Sequence, residues 1–197
     1  MKRMLCAVCL VLLNAGTAAS QSAELGLTAG ISAFNDNGIG SLRSFAEGNI
    51  PVTLGNGVRV GARWATNSWT FLGHEFSYAF QRSSLNIGDG QSQGMNVQNI
   101  YYNFVAHATP SGTPVRPFVT AGAGVSVYFP PGVSSLSGGG NNNFGYNYGG
   151  GLKFKLSNTF GLRFDVRDHV TGRPFDLDDS SGRFHNVEYS ATFSLLF

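Results

Sequence analysis

Three stretches of this chain hold residue types that can do chemistry. His169-Val170-Thr171 sets an imidazole two residues from a hydroxyl, and Glu188 lies on the next segment. That is the grouping of a nucleophile, a general base and a carboxylate that orients the base. The details argue against it: Thr171 stands where a Ser would be usual, Gly172 follows, and alternation groups His169 with Arg167 and Asp165. Asp176-Leu177-Asp178-Asp179-Ser180-Ser181 collects oxygen ligands, yet it lacks the ordered spacing and closing Glu of a calcium loop. It reads as a solvated acidic loop. Gly138-Gly139-Gly140 and Gly149-Gly150-Gly151 lack the Lys-Ser/Thr and the following helix that a phosphate loop needs. Nine charges remain: Arg59, Arg63, Glu75, Lys153, Lys155, Arg163, Asp165, Arg167 and Glu188. If water reached them, a six-to-three basic majority would favour anions. If it does not, they neutralise one another as a structural ion-pair network, and that is the expectation.

The segments that carry these residues alternate with period two. Eight such segments run over 24–33, 58–65, 70–82, 97–108, 116–129, 144–156, 159–171 and 187–197. In the last, Val187, Tyr189, Ala191, Phe193, Leu195 and Phe197 share one face, opposite Glu188, Ser190, Thr192 and Ser194. In the seventh, Phe160, Leu162, Phe164 and Val166 oppose Gly161, Arg163, Asp165 and Arg167. The gaps between segments alternate too. They are long at 35–57, 83–96, 130–143 and 172–183, and short at 66–68, 109–115 and 157–158. An up-and-down barrel with one looped end and one tight end has that rhythm. A Greek-key sandwich has no reason to show it.

The chemistry of the two faces sets the orientation. Eight strands enclose only about the volume of their own side chains. The apolar faces are too long and too aromatic for that space, so they belong outside, in lipid, with the charges in the lumen. His74 is the exception, falling mid-segment on the apolar face, where Tyr102 or Tyr78 is its expected partner. Trp64, Trp69, Phe154, Phe160 and Phe197 gather at the tight end, and Phe80, Tyr128, Phe129, Phe144 and Tyr146 at the looped end. Two aromatic rims suit two membrane interfaces.

Composition agrees. Lys2 and Arg3 precede the apolar run Leu5–Leu13, and small residues follow at Gly16-Thr17-Ala18-Ala19-Ser20. Residues 1–20 therefore read as a signal peptide and 23–197 as a single β-barrel domain. Both cysteines, Cys6 and Cys9, lie in the leader, so the remaining chain has no disulfide. Charged residues make up 12% of the chain against about 25% in soluble domains. Without the leader, basic and acidic residues balance and no basic cluster remains, which removes the main argument for nucleic acid as a partner. Beyond the leader no apolar run approaches the ~18 residues of a spanning helix.

The final Tyr189-Ser190-Ala191-Thr192-Phe193-Ser194-Leu195-Leu196-Phe197 and the preceding Gly161-Leu162-Arg163-Phe164-Asp165-Val166-Arg167-Asp168 resemble the last strands of small outer-membrane β-barrel proteins of Gram-negative bacteria. The resemblance is to the barrel module of the OmpA/OmpX-like group, without its peptidoglycan-binding domain. It implies an eight-stranded antiparallel transmembrane barrel in the cell outer membrane, in contact with outer-membrane lipid and lipopolysaccharide. It also implies that Tyr189, Phe193, Leu195 and Phe197 form the signal read by the barrel-assembly machinery. A monomer without cofactor, metal or catalysis is expected, with a structural or surface-interaction role through long extracellular loops. Two alternatives are a small-solute, porin-like channel and a lipid A-modifying barrel enzyme. Deacylases of the latter kind carry a His-x-Ser pair with an acidic partner, which His169, Thr171 and Glu188 resemble in spacing alone.

Overall fold

The computed structural model describes residues 22–34, 38–44, 48–88, 90–135, 139–175, 177 and 182–197. The segment 1–20 and most of the acidic stretch 176–181 lie outside the described residues. The regular elements are strands: β1 (Ser22–Phe34), β2 (Gly38–Ser44), β3 (Gly48–Asn67), β4 (Leu72–Ile87), β5 (Gln91–His107), β6 (Val115–Phe129), β7 (Asn141–Lys155), β8 (Phe160–Gly172) and β9 (Arg183–Leu196). They form one antiparallel sheet in the order β1-β9-β8-β7-β6-β5-β4-β3-β2. β1 pairs with both β9 and β3, so the sheet closes and β2 is left as an extra strand beside β3. Eight strands thus make the wall. Closure removes every free edge between them, which lipid demands because it offers backbone groups no hydrogen bonds.

The two ends differ as the gap lengths predict. At the tight end Trp69 N donates to Leu72 O at 3.0 Å, and Leu156 N donates to Phe160 O at 3.0 Å. The looped end is more ordered than alternation alone suggests. Of the expected loop 35–57, the part from Gly48 onward extends β3 and pairs with β2 as a hairpin. In the expected loop 83–96, β4 and β5 stay paired as far as Ile87 and Gln91. Ser83, Ser84, Asn86, Ser92 and Gln93 hide this extension, since a strand in water needs no lipid-facing apolar row.

Side chains divide as the face chemistry requires. Leu27, Val60, Phe104, Val119 and Phe164 are exposed on the outer wall, while Arg63, Glu75, Asn103, Asp165 and Glu188 are buried inside. At the looped end the rule inverts. Phe34, Ile39, Val52, Leu54, Leu85, Met95, Val97, Tyr128 and Phe184 form an apolar core inside the barrel, with Phe175 and Leu177 against it. Tyr128, in that core, and Phe129 are both buried and do not join the outer aromatic rim, contrary to the sequence expectation.

A β-bulge enables this inversion on β3. Gly55 pairs with Ser84, and the next pair is Val58 with Arg82, so β3 carries one extra residue. One residue exchanges the faces of a strand. Arg59 and Arg63 therefore face inward below the bulge, and Leu54 and Val52 face inward above it. Asn56, at the bulge, accepts the Phe34 N–H at 3.2 Å through its Oδ1.

Candidate functional site

The lumen is the place where charge is concentrated. Strand pairing places Arg163, Asp165 and Arg167 on consecutive inward positions of β8, Glu188 inward on β9, and Arg59 and Arg63 inward on β3. Glu75 enters from β4 on the far side. Arg163 donates to Glu75 Oε2 at 2.6 Å and to Asp165 Oδ1 at 2.8 Å. Arg167 repeats that pattern, reaching Glu75 Oε1 at 2.7 Å and Asp165 Oδ1 at 3.0 Å. Arg63 links Asp165 Oδ2 at 2.8 Å to Glu188 Oε1 at 2.5 Å. Arg59 and His169 Nε2 complete the set on Glu188 Oε2, at 3.0 and 2.9 Å.

These groups form one continuous chain of forked guanidinium–carboxylate contacts. Such geometry suits Arg better than Lys, because the planar fork meets two oxygens at once. Neutral groups fill the remaining valences. Asn103 donates to Glu75 at 3.3 Å, Asn147 donates to Asn103 at 2.7 Å, and Ser190 donates to Glu188 at 2.6 Å. Gly149, opposite Arg167, leaves the room that Arg167 occupies, since an added Cβ would lie 2.8 Å from the Arg167 Cα.

Two of the nine sequence-selected charges lie apart from this chain. Lys153 pairs at 2.6 Å with Glu24 near the tight end. Lys155, one pleat beyond, is exposed at the rim and stands outside the buried set. Sequence reasoning omitted Glu24 and Arg116, although Glu24 shares the parity of Thr28 on β1. A cavity of about 150 Å³ opens here, lined by Glu24, Asn67, Arg116, Lys153, Arg163 and Phe197 among others. Further in lies the ion-pair chain, and beyond that the apolar core closes the looped end.

The grouping His169, Thr171 and Glu188 comes together only in part, and inside the barrel. His169 Nε2 is engaged by Glu188, and its ring meets Tyr101 edge-on at 4.9 Å. The Thr171 hydroxyl bonds instead to Tyr128 at 3.1 Å. Both residues are buried and face away from lipid. His74, on the outer wall, pairs with Tyr102 at 2.8 Å and packs at a tilt against Trp69 and Phe104, which accounts for a histidine on that face. Tyr189, Phe193, Leu195 and Phe197 stand exposed along the outer face of β9 and the residue after it. Among the described residues no cluster of His, Cys, Asp and Glu could hold a metal ion.

A closed eight-stranded wall with apolar groups outside and paired charges within is the build of an outer-membrane barrel. The family model of the outer membrane protein beta-barrel domain matches residues 5–195. The chain belongs to that family. It is therefore a protein of the cell outer membrane. Several solved structures have a similar fold at low identity. Neisserial surface protein A is 12% identical with a TM-score of 0.60, covering 92% of this chain and 99% of its own. OprG from Pseudomonas aeruginosa is 11% identical with a TM-score of 0.59, covering 92% and 98%. AlkL, solved in lipid bilayers, is 17% identical with a TM-score of 0.54, covering 93% and 94%. No curated protein is similar enough in sequence to match the chain.

Proposed function

We propose that this barrel is a closed, non-catalytic element of the outer membrane that presents its outer hairpins and loops for contact at the cell surface. The observation that carries this reading is the filled lumen: a Glu75–Arg163/Arg167–Asp165–Arg63–Glu188 chain, with the Phe34–Phe184 core stacked above it. An interior occupied by its own side chains leaves no continuous path for solute. The imidazole and hydroxyl with catalytic spacing are both engaged within that interior.

What remains for function is the outer end, where the β2–β3 and β4–β5 hairpins rise beyond the wall. Arg173 Nη1 donates to Gly38 O at 2.7 Å and ties the segment after β8 to β2, so these elements form one structured top. An epitope inserted after Gly132, a turn glycine with φ of 82° between β6 and β7, tests the orientation. Antibody is expected to bind it on intact cells; binding only after permeabilisation would invert the assignment. On the outer face of β9, Tyr189, Phe193, Leu195 and Phe197 act in this reading as the assembly signal.

A further inference from the structure

The tight end carries a row of cations that the ion-pair chain does not neutralise. Strand register sets Arg116 on β6 opposite Lys153 on β7, and Lys153 opposite Arg163 on β8. All three are buried, so like charges stand side by side on three neighbouring strands. Such neighbours repel unless a counter-charge lies between them. Arg163 has its counter-charges in Glu75 and Asp165. Lys153 pairs with Glu24, whose Oε1 also accepts the Asn67 amide at 3.4 Å. Arg116 meets no carboxylate among the described residues; its Nε donates to Thr109 O at 3.3 Å and its Nη2 to Thr70 O at 3.2 Å. Lys155, exposed one pleat further out on β7, adds another cation to the same face. Arg116, Lys153 and Lys155 thus share Glu24 alone, and positive charge is in excess.

The cavity of about 150 Å³ lies against this row, lined by Arg116, Lys153, Lys155 and Glu24 and by Ser111 and Thr113 from the turn between β5 and β6. Leu196 closes one side. It is the residue that breaks the polar row of β9, and Gly161 makes room for it, since an added Cβ there would lie 3.5 Å from Leu196 Cδ2. Arg163, held in the ion-pair chain, bounds the cavity on its inner side, so the space is a blind pocket. A cavity of about this size holds a molecule no larger than benzene. The charge excess calls for a small anion of more than one charge. The Arg116 guanidinium suits paired oxygens, and the two hydroxyls suit an acceptor. A phosphate group meets all of these demands, with close to two negative charges at neutral pH.

We propose that Arg116, Lys153 and Lys155 form a binding pocket for free phosphate at the tight end of the barrel. The pocket lies at the mouth opposite the loops, so it stands whatever those loops contact. Isothermal titration calorimetry of the full chain, refolded in a phosphate-free glucoside detergent and titrated with inorganic phosphate, tests it. Saturable binding is expected in the wild type, with acetate binding at least about tenfold more weakly. Arg116→Gln is expected to weaken phosphate binding about tenfold or more, the loss of one charge-assisted hydrogen bond. Lys155→Gln should weaken it several-fold, and its exposed position keeps the fold, which a heat-modifiable gel shift verifies. Glu24→Gln should tighten binding several-fold, because it frees Lys153 from its carboxylate; a damaged fold would act in the opposite direction. Phosphatidylglycerol added to the micelles is expected to leave the phosphate affinity unchanged. No saturable phosphate binding would overturn the proposal, as would equal affinity in the wild type, Lys155→Gln and Glu24→Gln forms. Loss of phosphate binding on adding phosphatidylglycerol would also overturn it, by giving the pocket to a lipid head group.

Discussion

Arg63 donates to Glu188 at 2.5 Å although their strands never pair, because β1 stands between β3 and β9. Gly26 lies opposite Arg63 on β1 and has no side chain to occupy the lumen there. The same guanidinium holds Asp165 at 2.8 Å. One residue thus ties β3 to β8 and β9 through the lumen, across the seam where the barrel closes.

Removing that tie leaves two buried carboxylates short of a partner. Arg63→Leu is expected to cost about 3–5 kcal/mol, the range for breaking a buried pair. The double variant Arg63→Leu/Glu188→Leu should cost less than the sum of the two single changes. Urea unfolding in detergent micelles or lipid vesicles, followed by tryptophan fluorescence, measures both; strict additivity would mean that the contact contributes nothing.

Gly149 gives a steric test of the same interior. A Cβ there would meet the Val166 carbonyl and stand 2.8 Å from the Arg167 Cα. Because the obstacle is backbone, Gly149→Val is expected at the severe end of overpacking, about 3 kcal/mol. The yield of the heat-modifiable folded form should fall sharply. A normal yield would show that β7 and β8 pack differently there.

Trp64 and Trp69 flank one tight turn, so they report on one membrane interface. Both are accessible from the outer wall, Trp69 the more so. Vesicles with bromine atoms high on the acyl chain should quench this fluorescence more than vesicles brominated near the bilayer centre, as interfacial aromatic rings require. Stronger quenching from the centre would displace the belt.

Loss of Phe197 separates folding from biogenesis. Its backbone N donates to Ala23 O at 2.9 Å, but its ring is 73% exposed and adds little to packing. Deleting it should leave refolding in detergent nearly intact and lower the folded barrel recovered from cells several-fold. Equal recovery from cells would remove the assembly role of the last strand.

Most of the wall was legible in the sequence because a lipid-facing strand must alternate, and the gap lengths record which end is looped. Eight of the nine charges chosen by the same parity are buried in the lumen. Its failures are local and physical. The bulge at Gly55–Val58 shifts the phase of β3 without a compositional mark. Above the membrane the apolar residues turn inward, so Val52, Leu54, Met95 and Tyr128 obey the opposite rule. Glu24 was missed because its Lys153 partner lies 129 positions away, and Lys155 has lumen parity but reaches the rim. The Arg116–Lys153–Arg163 row was invisible because it needs the register of β7 against β6 and β8.

The closed lumen is the central claim, and planar-bilayer recording of the refolded protein addresses it most directly. With Arg163 and Arg167 locked to Glu75 and Asp165, and Phe34 stacked on Phe184 above them, the wild-type barrel is expected to give a quiet baseline. Steady unitary openings in the wild type, abolished by Arg163→Gln/Arg167→Gln in a barrel that still folds, would contradict it.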